Sequence, residues 1–156
     1  MNEIRRKLLK TTMGLGALLT TIGAGLLIPQ RALAAYMAEA FATKDVSTAL
    51  IAALGSDSHT PSDAIKLKAP DIAENGAVVP VTVSSTLPNV ESIAIIASAN
   101  QFPLTSTYRL SSMSVVFIST RIKMGESAKV LAVVKSDGKL YSATKEVKVI
   151  IGGCGG

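Results

Sequence analysis

The spacing of apolar residues along this chain changes rhythm near Ile65. Before that point, within residues 36–55, Val46, Ala49, Leu50, Ala53 and Leu54 recur at helical intervals and form one apolar stripe. The pattern predicts a helix with Thr43 as N-cap, Asp45 in the first turn and Gly55 as its stop. Residues 56–63, SDSHTPSD, follow as a polar linker punctuated by Pro61.

From Ile65 the period becomes two. IKLKA sets Ile65, Leu67 and Ala69 against Lys66 and Lys68, and AVVPVTV places Val79, Val81 and Val83 on one face. Pro80 in that run marks an edge or a bulge, because it brings no N–H to a ladder. VESIAIIASA is apolar on both faces, as a central strand is. SVVFISTRIK comes next, then the turn Met124-Gly125-Glu126-Ser127 and the strand AKVLAVVK. Asp137-Gly138 predicts a tight hairpin. The final strand, KEVKVII, points Val147, Val149 and Ile151 inward and Glu146, Lys148 and Ile150 outward.

Seven or eight short strands split by frequent turns predict a mainly β fold, an immunoglobulin-like antiparallel β-sandwich over residues 64–151. A helical segment with its linker, residues 36–63, precedes it, and a glycine-rich arm, residues 152–156, follows. The exposed Ile150 and the two-faced strands leave two readings open, a partner surface or ordinary sheet-on-sheet burial.

The first 34 residues have a different grammar. A basic opening with Arg5-Arg6, an uncharged run from Thr11 to Ile28 and the small-x-small site Ala32-Leu33-Ala34 form an export signal. The uncharged run is broken by four glycines and is short for a spanning helix, which needs about 20 mostly apolar residues. Arg5-Arg6 resembles the twin-arginine consensus, and the implied destination is the periplasm without a membrane anchor in the mature form. Of the 16 basic and 11 acidic residues, five basic and one acidic lie in this leader, leaving 11 and 10 beyond it. That near-neutral balance gives no electrostatic case for nucleic acid or an anionic membrane surface.

Ordinary catalytic constellations are missing. The one histidine, His59, lies in the polar linker and is expected to be solvated, so no Cys/His metal set and no Ser-His-Asp arrangement can be assembled. Asp57, Asp63, Asp71 and Glu74 read as solvated loop acids. No catalytic residue, metal site or resident cofactor is expected.

The chemistry concentrates at GGCGG. Cys154 is the one cysteine, flanked by Gly152, Gly153, Gly155 and Gly156. Glycine supplies the freest and thinnest backbone available, and an unpaired cysteine in an exported protein is either a reactive thiol or half of an intermolecular bond. Nothing near it in sequence lowers its pKa, since the nearest basic residue is Lys148. The residues therefore describe one mobile thiol delivered to the active sites of partners. The alternative is an exported structural sandwich that dimerises through an interchain disulfide.

GGCGG preceded by KEVKVII resembles the C-terminus of the SoxY sulfur carriers of the periplasmic thiosulfate-oxidising (Sox) system. The segments IKLKAPDIAENGAVVPVTV, VESIAIIA and STRIKMGESAKVLAVVKSDGK are also similar to that family, as is the leader. The resemblance implies that Cys154 is the covalent attachment site for sulfur, with thiosulfonate or persulfide adducts in place of a cofactor. It further implies a heterodimer with SoxZ, with transient contacts to SoxXA, SoxB and, where present, SoxCD.

Overall fold

The computed structural model describes residues 38–111 and 113–150, within the compact unit Met37–Gly156. A helical turn over residues 38–42 leads to helix α1 (Val46–Leu54). Nine strands follow: β1 (Thr60–Pro61), β2 (Ile65–Lys68), β3 (Ile72–Ala73), β4 (Val79–Ser85), β5 (Val90–Ala97), β6 (Leu104–Arg109), β7 (Phe117–Ile122), β8 (Ala128–Ser136) and β9 (Lys139–Val149). The larger sheet runs β1-β9-β8-β5-β6 with β3 also on β9, and the smaller runs β2-β4-β7. Apart from the two-residue strands β1 and β3, which lie parallel to β9, every pairing is antiparallel.

The period of two dictates the core. Val79, Val81 and Val83 of β4 face Ile93 and Ile95 of β5, Val130 and Val134 of β8 and Val147 of β9 in one cluster between the sheets. Each is fully buried or nearly so, and burying such a side chain contributes roughly 1.5–3 kcal/mol relative to leaving it exposed. The predicted immunoglobulin-like sandwich is the fold observed.

Pro80 sits in the middle strand of the small sheet yet still at a local edge. The last pair between β4 and β2 is Thr82↔Lys68, so Pro80 lies past the end of β2 and its missing N–H interrupts no ladder. Asp137 and Gly138 take positive φ, 49° and 72°, and close the β8–β9 hairpin with the twist that a primed turn supplies.

The helical prediction needs correcting in three details. The segment is interrupted between residue 42 and Val46, because Asp45, not Thr43, caps the second helix. The Asp45 carboxylate accepts from the Thr48 N–H at 2.7 Å and from its hydroxyl at 2.8 Å. These bonds hold its pKa below the usual value and leave Asp45 itself in extended backbone. Ala52 joins the buried stripe. The C-terminal prediction stands, with Gly55 at φ 90°.

The second apolar face of the central strand has an intramolecular cover. Ala94 and Ile96 of β5, Leu104 of β6 and Val133 of β8 pack against Ala49, Leu50, Ala52 and Leu54 of α1. The helix, not a partner, takes that face of VESIAIIA. Ile150 does remain exposed, at 53 %.

Candidate functional site: the root of the terminal arm

Cys154 with Gly152, Gly153, Gly155 and Gly156, Ile151, and the leader residues Arg5, Arg6, Ala32 and Ala34 lie outside the described residues. What the fold defines is the place from which the arm departs. An extended chain spans about 3.5 Å per residue, so four residues of chain reach at most about 14 Å beyond Ile150.

That root is held on both sides. The last strand, β9, is bonded to β8 from Ser136↔Lys139 to Ala128↔Val147. Just before the start of β8, where its ladder to β9 stops, the Ser127 side chain replaces it: its Oγ accepts from the Val149 N–H at 2.9 Å. On the other side β3 adds in parallel, with Lys148 N–H donating to the Asp71 carbonyl at 2.9 Å and Ile150 N–H to that of Ala73 at 3.1 Å. The backbone is thus bonded to its last described residue.

Gly76 explains how the neighbouring layer comes so close. A Cβ there would strike the carbonyl oxygen of Met124 and stand 2.8 Å from the Val149 side chain. With no side chain, Gly76 accepts the Met124 N–H at 2.7 Å while Met124 fills the core beneath, 2 % exposed. Asn100 fastens the same turn, donating to the Lys123 carbonyl at 2.7 Å and accepting from Gly125 N–H at 3.0 Å. KMGES therefore seats the arm root, a role not evident from its reading as strand and turn. No periodic signal marks Ser127 or Gly76, because their partners lie 22 and 48 residues away.

The surroundings are chemically quiet. Asp71 pairs with Lys145 at 2.6 Å, and the hydrogen bond and charge of that lysine hold its carboxyl below the usual range. Asp71 is thus exposed yet paired, while Asp57, Asp63 and Glu74 are exposed as expected. His59 is half-buried, not solvated, and its Nδ1 lies buried with no hydrogen-bond partner. It precedes Thr60, which is opposite Tyr141; that is eight residues before Val149, about 26 Å along the strand. The imidazole is therefore no neighbour of the arm root. Among the described residues no group of His, Cys, Asp and Glu is placed to hold a metal ion, and no helix is long and apolar enough to cross a membrane.

The described residues define a β-sandwich whose last strand is hydrogen-bonded on both sides up to Ile150. The chain's residues 51–154 match the family model described as sulfur oxidation protein SoxY. The solved structure of the sulfur carrier protein SoxY from Chlorobium limicola f thiosulfatophilum is 39 % identical, with a TM-score of 0.62, covering 70 % of this chain and 96 % of that one. This chain belongs to the SoxY family. Fainter likenesses join it to a superoxide reductase (neelaredoxin) from Ignicoccus hospitalis, at 20 % identity over 58 % of this chain and 80 % of that one, TM-score 0.49. The human F-spondin reeler domain is 13 % identical over 59 % and 92 % of the two chains, TM-score 0.43. None of the curated proteins matches the chain.

Proposed function

We propose that this chain carries the sulfur intermediates of thiosulfate oxidation as covalent adducts on Cys154 and presents them to partner enzymes. The observation that carries the reading is a lone cysteine between glycine pairs, immediately beyond a strand bonded to its end. Membership of a family that includes a sulfur carrier protein supports it.

In the loading step the thiol loses its proton and two electrons and forms an S–S bond to the outer sulfur of thiosulfate. The product is Cys154–S–S–SO₃⁻, and the electrons pass to a haem partner of the SoxXA kind. Water then cleaves the bond to the sulfonate group, releasing sulfate and a proton and leaving Cys154–S–SH, the step assigned to SoxB. Where SoxCD is present, it oxidises the remaining sulfane sulfur. The chain itself contributes position: a rigid root, a slim arm and one nucleophile. It is not an enzyme in this reading, binds no resident cofactor, and works in the periplasm after twin-arginine export as the companion of SoxZ.

Intact-mass measurement of the exported protein from thiosulfate-grown cells should show an increment of about 112 Da on the peptide containing Cys154. Cys154→Ser should abolish both the adduct and thiosulfate-dependent respiration; respiration that survives the substitution would refute the carrier. The odd cysteine also favours a second reading, a disulfide-linked dimer. That reading predicts a stoichiometric dimer on non-reducing gels and activity that survives loss of the thiol when the fold is kept.

A further inference from the structure

The smaller sheet ends in two unlike edges. On one side β2 carries Lys66 and Lys68 and runs into Pro70, the guards that keep an edge from recruiting another strand. On the other side β7 is six residues long, and neither lysine nor proline interrupts it.

The hydrogen-bond phase of β7 can be worked out. Ser85 N–H donates to the Val116 carbonyl, and bonded pairs alternate along an antiparallel ladder. Val83↔Ile118, Val81↔Thr120 and Val79↔Ile122 are therefore the bonded pairs. Pro80↔Arg121 falls at a non-bonded position, as the missing proline N–H requires. The backbones of Phe117, Ser119 and Arg121 consequently face away from β4. Phe117 N–H turns back to the Val115 carbonyl at 2.9 Å. The N–H and C=O of Ser119 and of Arg121 have no hydrogen-bonding partner among the described residues.

The approach to this edge is apolar. Met113, Val115 and Phe117 are 94 %, 84 % and 59 % exposed, the largest such run along the described chain. The other long edge, β6, is flanked by Ser and Thr and lacks a comparable patch. Beyond Phe117 the character turns basic: Arg121 and Lys123 are exposed, and neither belongs to an ion pair among the described residues.

We infer that the outer edge of β7 is the strand-addition site for the partner subunit, whose strand is apolar opposite Phe117 and acidic opposite Arg121 and Lys123. An added extended strand pairs with both the donor and the acceptor that Ser119 and Arg121 turn outward. The occupant is a different chain, since residues 113–123 contain no acid and a second copy would bring the same acid-free stretch. The inference rests on the heterodimer reading above and assigns that partner its place.

The full chain, co-expressed with the SoxZ subunit of the same organism, tests this by amide hydrogen exchange. The Ser119 and Arg121 amides should slow by about tenfold or more in the complex, whereas those of Lys66 and Lys68 should not change. Ser119→Pro removes one outward donor and no bond to β4. It should retain the melting temperature of the free chain and weaken the complex by about tenfold or more. Should that variant fail to fold, Arg121→Glu should weaken the complex similarly through charge reversal. A wild-type complex whose protection falls on β2 or β6, or one indifferent to both substitutions, would overturn the assignment and leave the heterodimer reading intact. Absence of any complex with the wild-type chain would instead sink the heterodimer reading and the assignment with it. Concentration-dependent protection of Ser119 and Arg121 in the chain alone, with that of Arg121 lost in Ser119→Pro, would identify a second copy as the occupant and overturn the choice of a different chain.

Discussion

The two faces of the central strand β5 are covered by unlike materials. Ile93, Ile95 and Ala97 face the interior and meet β-branched residues from both sheets. Ala94 and Ile96 face the other way, onto one nine-residue helix whose contacting side chains are mostly alanine and leucine. The inner face is held by strands bonded into ladders. The outer face depends on a short helix that is marginal alone, and whose stability comes from packing and its Asp45 cap. Neighbouring residues of one strand thus belong to a rigid core and to a separable one. The arm root belongs to the rigid side, because Val149 and Met124 pack in the inner cluster.

Ile95→Ala, fully buried on the inner face, should produce the largest loss, roughly 3–5 kcal/mol, since ladders on both sides prevent the cavity from collapsing. Chemical denaturation checks this, and a loss no greater than that of Leu50→Ala would erase the distinction between the faces. Leu50→Ala should cost less, roughly 2–3 kcal/mol, because the helix can settle onto the sheet. Its cost should fall on α1, with amide exchange accelerated there, while the rate of chemical modification of Cys154 stays unchanged.

Gly76→Ala probes whether the arm root is truly part of the rigid core. The added methyl meets the Met124 carbonyl and the Val149 side chain, and should destabilise by about 1–3 kcal/mol. Unlike Leu50→Ala, it should accelerate exchange at the Ile150 amide, which nuclear magnetic resonance can follow. The arm itself is tested by Gly152→Val with Gly153→Val. The melting temperature should be unchanged and adduct formation by partner enzymes slowed, because branched side chains stiffen and thicken the tether; wild-type loading would show that the glycines have no part in access.

The smallest effect concerns pH. The Asp45 carboxylate is stabilised by its bonds to Thr48 in the folded helix, so its pKa is lowered and its contribution is complete at neutral pH. That contribution declines once pH falls below the ordinary aspartate range and disappears below the lowered value. Asp45→Asn keeps a capping oxygen without the titration. It should show less helix fraying on acidification than the parent, by circular dichroism, with the inner core unaffected.

Strands with a period of two, β2, β4 and the hairpin into β9, were legible in the sequence, as was β5 through its run of residues apolar on both faces. β6 was not, because Leu104–Arg109 reads LTSTYR, with half-buried hydroxyl residues where alternation would show. The two-residue strands β1 and β3 carry no period at all and exist only because β9 offers an edge. Thr43 and Asp45 both suit a cap, and the choice fell to Asp45 because its carboxylate accepts two hydrogen bonds from Thr48.

By itself the sequence determined the local facts, those that depend on residues a few positions apart. They are the sheet periodicity, the Asp137-Gly138 turn, the Gly55 stop and a lone cysteine among glycines. Only the tertiary structure decided what lies across space. It covered one face of β5 with α1, brought Gly76 and Ser127 to the root of the arm, and left β7 open where β2 is guarded. Periodicity records which side of an element is apolar, whereas the identity of its neighbour depends on contacts between residues far apart in the chain.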